Sequence, residues 1–163
     1  MTDRIPSVKY HLEDLSVGMT ATSEMTITAS KIDGFADITG DHNPIHMDAA
    51  YAARSPFGQR IAHGALSASL ISAVLGNELP GPGAVFVELN LRFRKPAFIG
   101  DHIVATAEIA EINARTGRVI LKCRCEVPDT GGGKAKLLCR GDAAVMVTKR
   151  DVAMAAGQKS IAD

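Results

Sequence analysis

Residues 61–77 read IAHGALSASLISAVLGN, a stretch with no Asp, Glu, Lys or Arg and with small or apolar side chains on every side of a would-be helix. Such a helix has no wet face, so the rest of the chain must be built to cover it. It is slightly too short to span a bilayer and contains His63 and several serines, which favours a protein interior over a membrane. Gly64 stands where the helix would begin, and Gly76-Asn77 followed by Pro80 stops it.

After Pro82 the apolar residues recur with period two almost to the end of the chain. In VILKCRCEV, Val119, Leu121, Cys123, Cys125 and Val127 fall on one face and Lys122, Arg124 and Glu126 on the other. In LNLRFRKP, Leu89, Leu91 and Phe93 oppose Asn90, Arg92 and Arg94. Each strand therefore has one core face and one wet face. Further strands are predicted over residues 19–27, 101–112 and 136–148, and turns at Ile99-Gly100, Arg115 to Gly117 and Asp129 to Gly133 predict successive antiparallel hairpins. The fold class is α+β, with a curved antiparallel sheet wrapped around one long buried helix. The apolar face of the sheet and the apolar helix satisfy each other.

A chain of 163 residues, 46% hydrophobic and 22% charged, suits one globular domain, placed at residues 1–150 with residues 151–163 as a frayed or weakly helical tail. Eighteen basic residues balance eighteen acidic ones, so no overall field draws the protein to nucleic acid or to an anionic membrane, and any bound anion must meet a local patch. Cys123, Cys125 and Cys139 suit neither a disulfide framework nor a zinc ribbon, and read as small apolar strand residues in a reducing compartment. The opening MTDRIPSVKYHLEDL has no apolar signal region and the closing SIAD is no peroxisomal address, so a cytoplasmic location is expected. DTGGGKAK reads as a hairpin turn, because Pro128 stands where a phosphate loop needs its first Gly and Ala135 where it needs Ser or Thr.

Groups able to exchange protons are concentrated in GDHNPIHMD, residues 40–48. Asp41 and His46 are five apart across a bend set by Asn43-Pro44, and can converge on one water. Pro44 breaks a regular helix over residues 42–46, which argues against a His42/His46 metal pair on one helical face, although a third ligand such as Asp48 keeps that option open. Turns commonly contain Asp and His, so on spacing alone the pair reads equally well as a cap aspartate and a satisfied histidine. Asp48 is expected to cap the AAYAA helix, and Asn43 to shape the turn. Gly64 would present a backbone N–H at the positive end of a buried helix, a ready donor to a developing oxyanion, or would serve only close packing. His63 is expected to fix the turn through ring hydrogen bonds.

FADITGDHNPIHMDAAYA, then IAHG opening an apolar helix, then LRFRKPAFIGD, strongly resemble the MaoC-like (R)-specific enoyl-CoA hydratases of the hot-dog fold, over about residues 15–149. The resemblance implies addition of water to trans-2-enoyl thioesters of coenzyme A, by a homodimer without metal or redox cofactor. It implies Asp41 and His46 as the catalytic pair, Gly64 as oxyanion donor, Ser72 at the position of the family's active-site serine, Asn43 as a residue that orients its neighbours, and His42 as a variable, exposed position. Hydration itself asks for a water activated against C3, a proton delivered to C2, and donors for the charge on the thioester oxygen. Coenzyme A carries phosphates, for which Arg92, Arg94 and Lys95 are the candidate partners. The same patch suits an acyl carrier protein. A dehydratase acting on carrier-bound chains, a hot-dog thioesterase and a non-catalytic acyl-CoA-binding subunit are the rival readings.

Overall fold

The computed structural model describes residues 8–129 and 131–150, so the tail expected at residues 151–163 lies outside the described residues. Strand β1, Thr20–Thr26, is followed by three helices: α1, Ala29–Thr39; α2, Pro44–Met47; and α3, Ala49–Ala53. Helix α4, Gly64–Ala73, continues into a π turn, Val74–Glu78, and then come β2, Val85–Phe93; β3, His102–Asn113; β4, Arg118–Val127; and β5, Lys136–Met146. The strands form one antiparallel sheet in the order β1-β3-β4-β5-β2. All five predicted strands are present. β3, β4 and β5 follow one another as hairpins, because the intervening turns are short and the register is set by the apolar alternation.

Helix α4 lies against the face of β1, β3 and β4 that carries the apolar set. Ile103, Ile109, Val119, Leu121, Cys125 and Cys139 from the sheet meet Leu66, Leu70, Ile71 and Val74 from the helix in one core. This is the hot-dog arrangement. The helix is not enclosed all round, as its sequence predicts. Ala65, Ser69, Ser72 and Gly76 are exposed along one stripe, because five strands cover only one side of a cylinder and these residues fall at i, i+4, i+7 and i+11.

The buried cysteines are packing residues. Burial pushes the Cys123 thiol up to about 12, and Cys125 is raised as well, first by its hydrogen bond with Cys139 and then by burial. Cys125 Sγ donates to the Ser67 carbonyl at 3.3 Å, tying β4 to the helix. No helix among the described residues is long and apolar enough to cross a membrane.

Gly141 sets how closely the edge strand β2 lies on β5. A Cβ at this position would overlap the Asn90 carbonyl and stand 3.0 Å from Leu91 Cα. Both obstacles are backbone, so neither can rotate away. Gly141→Ala is expected to cost about 1–3 kcal/mol through overpacking, whereas Gly34→Ala, in an α1 position with open space around it, is expected to be neutral or stabilising. Urea denaturation of the two variants checks this, and hydrogen exchange should localise the Gly141 defect to β2.

Candidate active site

Helix α1 ends at Gly40, which adopts φ 75° and donates its N–H to the Ala36 carbonyl. That left-handed residue ends the helix and turns the chain into the 40–48 segment. The Asp41 carboxylate accepts from the Asn43 N–H at 3.3 Å, and the Asn43 side chain accepts from the Ile45 N–H at 3.2 Å. Pro44 occupies the first turn of α2, where a missing N–H costs nothing. It therefore starts a one-turn helix, with His42 left exposed outside it and His46 inside it. Asp48 caps α3 by accepting from the Tyr51 N–H at 2.9 Å, as its position predicts. Asn43 is likewise a cap and turn former.

His46 is half-buried, and its Nδ1 lies 2.9 Å from the Ile61 carbonyl. A carbonyl only accepts, so Nδ1 carries the proton and Nε2 of the neutral ring presents a lone pair. His63, 2% exposed, has Nε2 at 2.9 Å from the Asp41 carbonyl, which by the same reasoning makes Nε2 the donor. Its Nδ1 is buried with no hydrogen-bond partner. The His63 ring also stacks on His46, with centroids 3.9 Å apart at 35°, and touches Phe35 with centroids at 5.0 Å. His63 thus holds both neighbours, one through its backbone and one through its ring. The ring hydrogen bond predicted for it is present, but its stacking role was not legible from sequence.

Arg60 completes the clamp. Its Nε donates to the His46 carbonyl, and its guanidinium pairs with Asp33 at 2.5 Å, joining α1 to α2. Nothing in the local sequence marks this residue, because its partners lie 14 and 27 positions away.

Ligand atoms of Asp41, His46 and His63 lie within 4.8 Å of one another. A water donating to two acceptors at about 2.8 Å each spans that gap. The same spacing would admit a cation, with His63 Nδ1 as the ring atom free to face it, since His63 Nε2 is committed to a carbonyl.

A cavity of about 300 Å³ opens beside His46, lined also by Gly64, Ser67, Phe93, Arg94 and Lys95. Gly64 is the first residue of α4, so its N–H belongs to the turn that has no helical acceptor. The Phe93 ring lies 3.0 Å from where a Gly64 Cβ would be, so a side chain here would press on that ring at the cavity wall.

Ser72 is exposed on the open stripe of α4 and does not line this cavity of the single chain, eight residues, or about two turns and a quarter, from Gly64. The buried serine that does line it is Ser67, three residues from Gly64 and so on its near face. Arg94 and Lys95 border the cavity, whereas Arg92 faces away on the outer side of the sheet.

The MaoC like domain family matches residues 16–124. The chain is 47% identical to a 3-hydroxybutyryl-CoA dehydratase of Methylorubrum extorquens, over 88% of this chain and 87% of that one. It is 39% identical to an (R)-specific enoyl-CoA hydratase of Rhodospirillum rubrum, over 88% and 95% respectively. The unliganded R-hydratase of Pseudomonas aeruginosa superposes with a TM-score of 0.77 at 36% identity, covering 86% of each chain.

The hydrogen bonds dictate opposite tautomers for the two stacked rings. Long-range ¹H–¹⁵N NMR of the neutral imidazoles should show His46 protonated at Nδ1 and His63 at Nε2. His63→Leu, which strips the Asp41 carbonyl of its donor, is expected to destabilise the fold by about 1–3 kcal/mol in denaturant titrations.

Proposed function

This chain belongs to the MaoC-like domain family, and on that footing we propose that it is an (R)-specific enoyl-CoA hydratase, a hydro-lyase that adds water to trans-2-enoyl-CoA to give (R)-3-hydroxyacyl-CoA. The observation that carries the reading is the convergence of Asp41 and His46 beside a cavity whose wall includes the first residue of a buried helix. Relatives named for this activity and for the reverse dehydration support it. One site serves both directions, since the same groups must handle the same protons each way.

In this mechanism a water donates to the Asp41 carboxylate and to His46 Nε2, which leaves an oxygen lone pair free to attack C3. The new C–O bond pushes the double-bond electrons towards the thioester, whose oxygen gains negative charge. The Gly64 N–H, at the positive end of α4, stabilises that oxygen. The proton taken from water remains on the Asp41–His46 pair and is returned to C2, so the reaction is balanced without an outside acid. Because one pair both takes the proton from water and returns it to C2, H and OH enter from the same face. No cofactor takes part. Arg94 and Lys95, at the cavity wall, are placed to meet the phosphate-bearing arm of coenzyme A.

The active unit we propose is a homodimer. β2 is an edge strand, and Val85, Phe86, Val87 and Phe93 on it are 42–61% exposed. An unpaired apolar edge invites a second strand, and the small-residue stripe on α4 offers a second close contact. The free buried thiols suit a reducing, cytoplasmic setting.

Loss of enoyl-thioester absorbance with crotonyl-CoA, with chiral analysis of the product, tests the activity. The (R) product is expected, and no loss with any CoA ester would overturn the reading. Comparison with carrier-bound substrates separates it from a carrier-specific dehydratase, an activity named in relatives at 30–31% identity. Asp41→Asn and His46→Gln are each expected to lower kcat on the order of 10²–10⁴-fold with an unchanged circular dichroism spectrum. Light scattering should report a dimer, and Val87→Glu should shift it towards monomer.

A further inference from the structure

The outer face of the sheet, opposite α4, carries a row of like charge. Arg92 on β2 is paired in register with Arg140 on β5, and Arg140 with Arg124 on β4. Neighbouring strands are about 5 Å apart, so three guanidinium groups stand side by side, and like charges directly opposite each other destabilise a sheet. The next row on the same face behaves differently. There Glu108, Lys122 and Asp142 alternate in sign across β3, β4 and β5, and Lys122 reaches Asp142 at 3.4 Å. Of the acids near the arginines, only Glu126 pairs with one, reaching Arg124 at a long 3.5 Å. Among the described residues Arg92, Arg94 and Arg140 have no ion pair.

These arginines, with Lys122 and the carboxylates Glu108, Glu126 and Asp142 of the flanking positions, line a shallow basin of about 720 Å³. Arg94 lines both this basin and the cavity beside His46, so one side chain borders the two. We propose that the row Arg92–Arg140–Arg124, continued from Arg94, is the binding site for the phosphates of the substrate's nucleotide half. The argument rests on the enoyl-CoA reading above. Several guanidinium groups in line match a ligand with several phosphates, since each takes two hydrogen bonds to phosphate oxygens in a fixed fork. Such a ligand would remove the repulsion that the free row carries. Arg140, at the centre of the row, and Arg124 lie far along the sequence from the 40–64 motifs, and only strand register brings them into line with Arg92.

The test compares crotonyl-CoA with crotonyl-pantetheine, which lacks all the phosphates. Arg140→Gln and the double variant Arg124→Gln/Arg140→Gln are expected to raise KM for crotonyl-CoA, the double variant about tenfold, with kcat within about twofold. With crotonyl-pantetheine they should match wild type. Arg115→Gln, in the β3–β4 turn and outside the basin, controls for the loss of a positive charge and should leave KM in place. Adenosine 3′,5′-bisphosphate should bind wild type in calorimetry and bind the double variant at least tenfold more weakly.

An unchanged KM in the double variant, with wild type active on the CoA ester, overturns the assignment while leaving the hydratase reading intact. If wild type turns over no CoA ester, the hydratase reading fails, and the calorimetric experiment still decides the site: row-dependent binding supports it and no binding overturns it. If the variants impair only carrier-borne substrate, the row serves an acidic carrier and the proposal is overturned.

Discussion

The short segment Ile61–Gly64 is where helix, sheet and motif loop are joined. The Ala62 N–H donates to the Ala97 carbonyl at 2.8 Å, and Ile61 bridges Phe98, so the start of α4 is fixed to the end of the sheet. The Ile61 carbonyl holds His46, and the next ring but one, His63, holds Asp41. Four consecutive residues thereby set the distance between two proton-handling groups and a helix terminus. The apolar seat of α4 against β3 and β4 keeps that segment from shifting, because close-packed interiors transmit displacement rather than absorb it.

The site is built on two kinds of support. Backbone devices act locally: the left-handed Gly40, the Asn43 cap and Pro44 in the first turn of α2 bring the chain back within a few residues. Long-range clamps act across elements: Arg60 joins Asp33 to the His46 carbonyl, and His63 joins Asp41 to His46. Asp41 is exposed while His63 is buried, so one carboxylate meets solvent with its backbone held by a buried ring. That combination suits a group that must exchange protons without moving.

The sheet divides its labour by face. Its inner side is aliphatic and packs on the helix, and its outer side carries one charge-alternating row beside one row of arginines. Its β2 edge exposes several apolar side chains and is unpaired among the described residues, at odds with the way natural sheets blunt such edges with charge. The proposed second copy would resolve the edge, and the proposed phosphate ligand would resolve the row, each restoring a local rule that the single chain breaks.

Period-two alternation made all five strands legible, because strands with one wet face leave an unambiguous pattern. The Asp48 cap and the turn at Asn43 were legible for a similar reason, since their hydrogen bonds span two or three residues, although the one-turn helix that Asn43 caps was not. The buried helix was legible too, but its exposure was not: composition shows that Ala65, Ser69, Ser72 and Gly76 are small, while only the curvature of the sheet decides that they remain uncovered. The same limit hid that Ser67 lines the cavity, as well as Arg60 and the stacking of His63 on His46. Sequence by itself determined the elements and the chemical groups available, since both depend on near neighbours. Tertiary structure decided which of those groups meet, because distances between residues 14 to 80 positions apart are set by packing and strand register, and neither is written in any one segment.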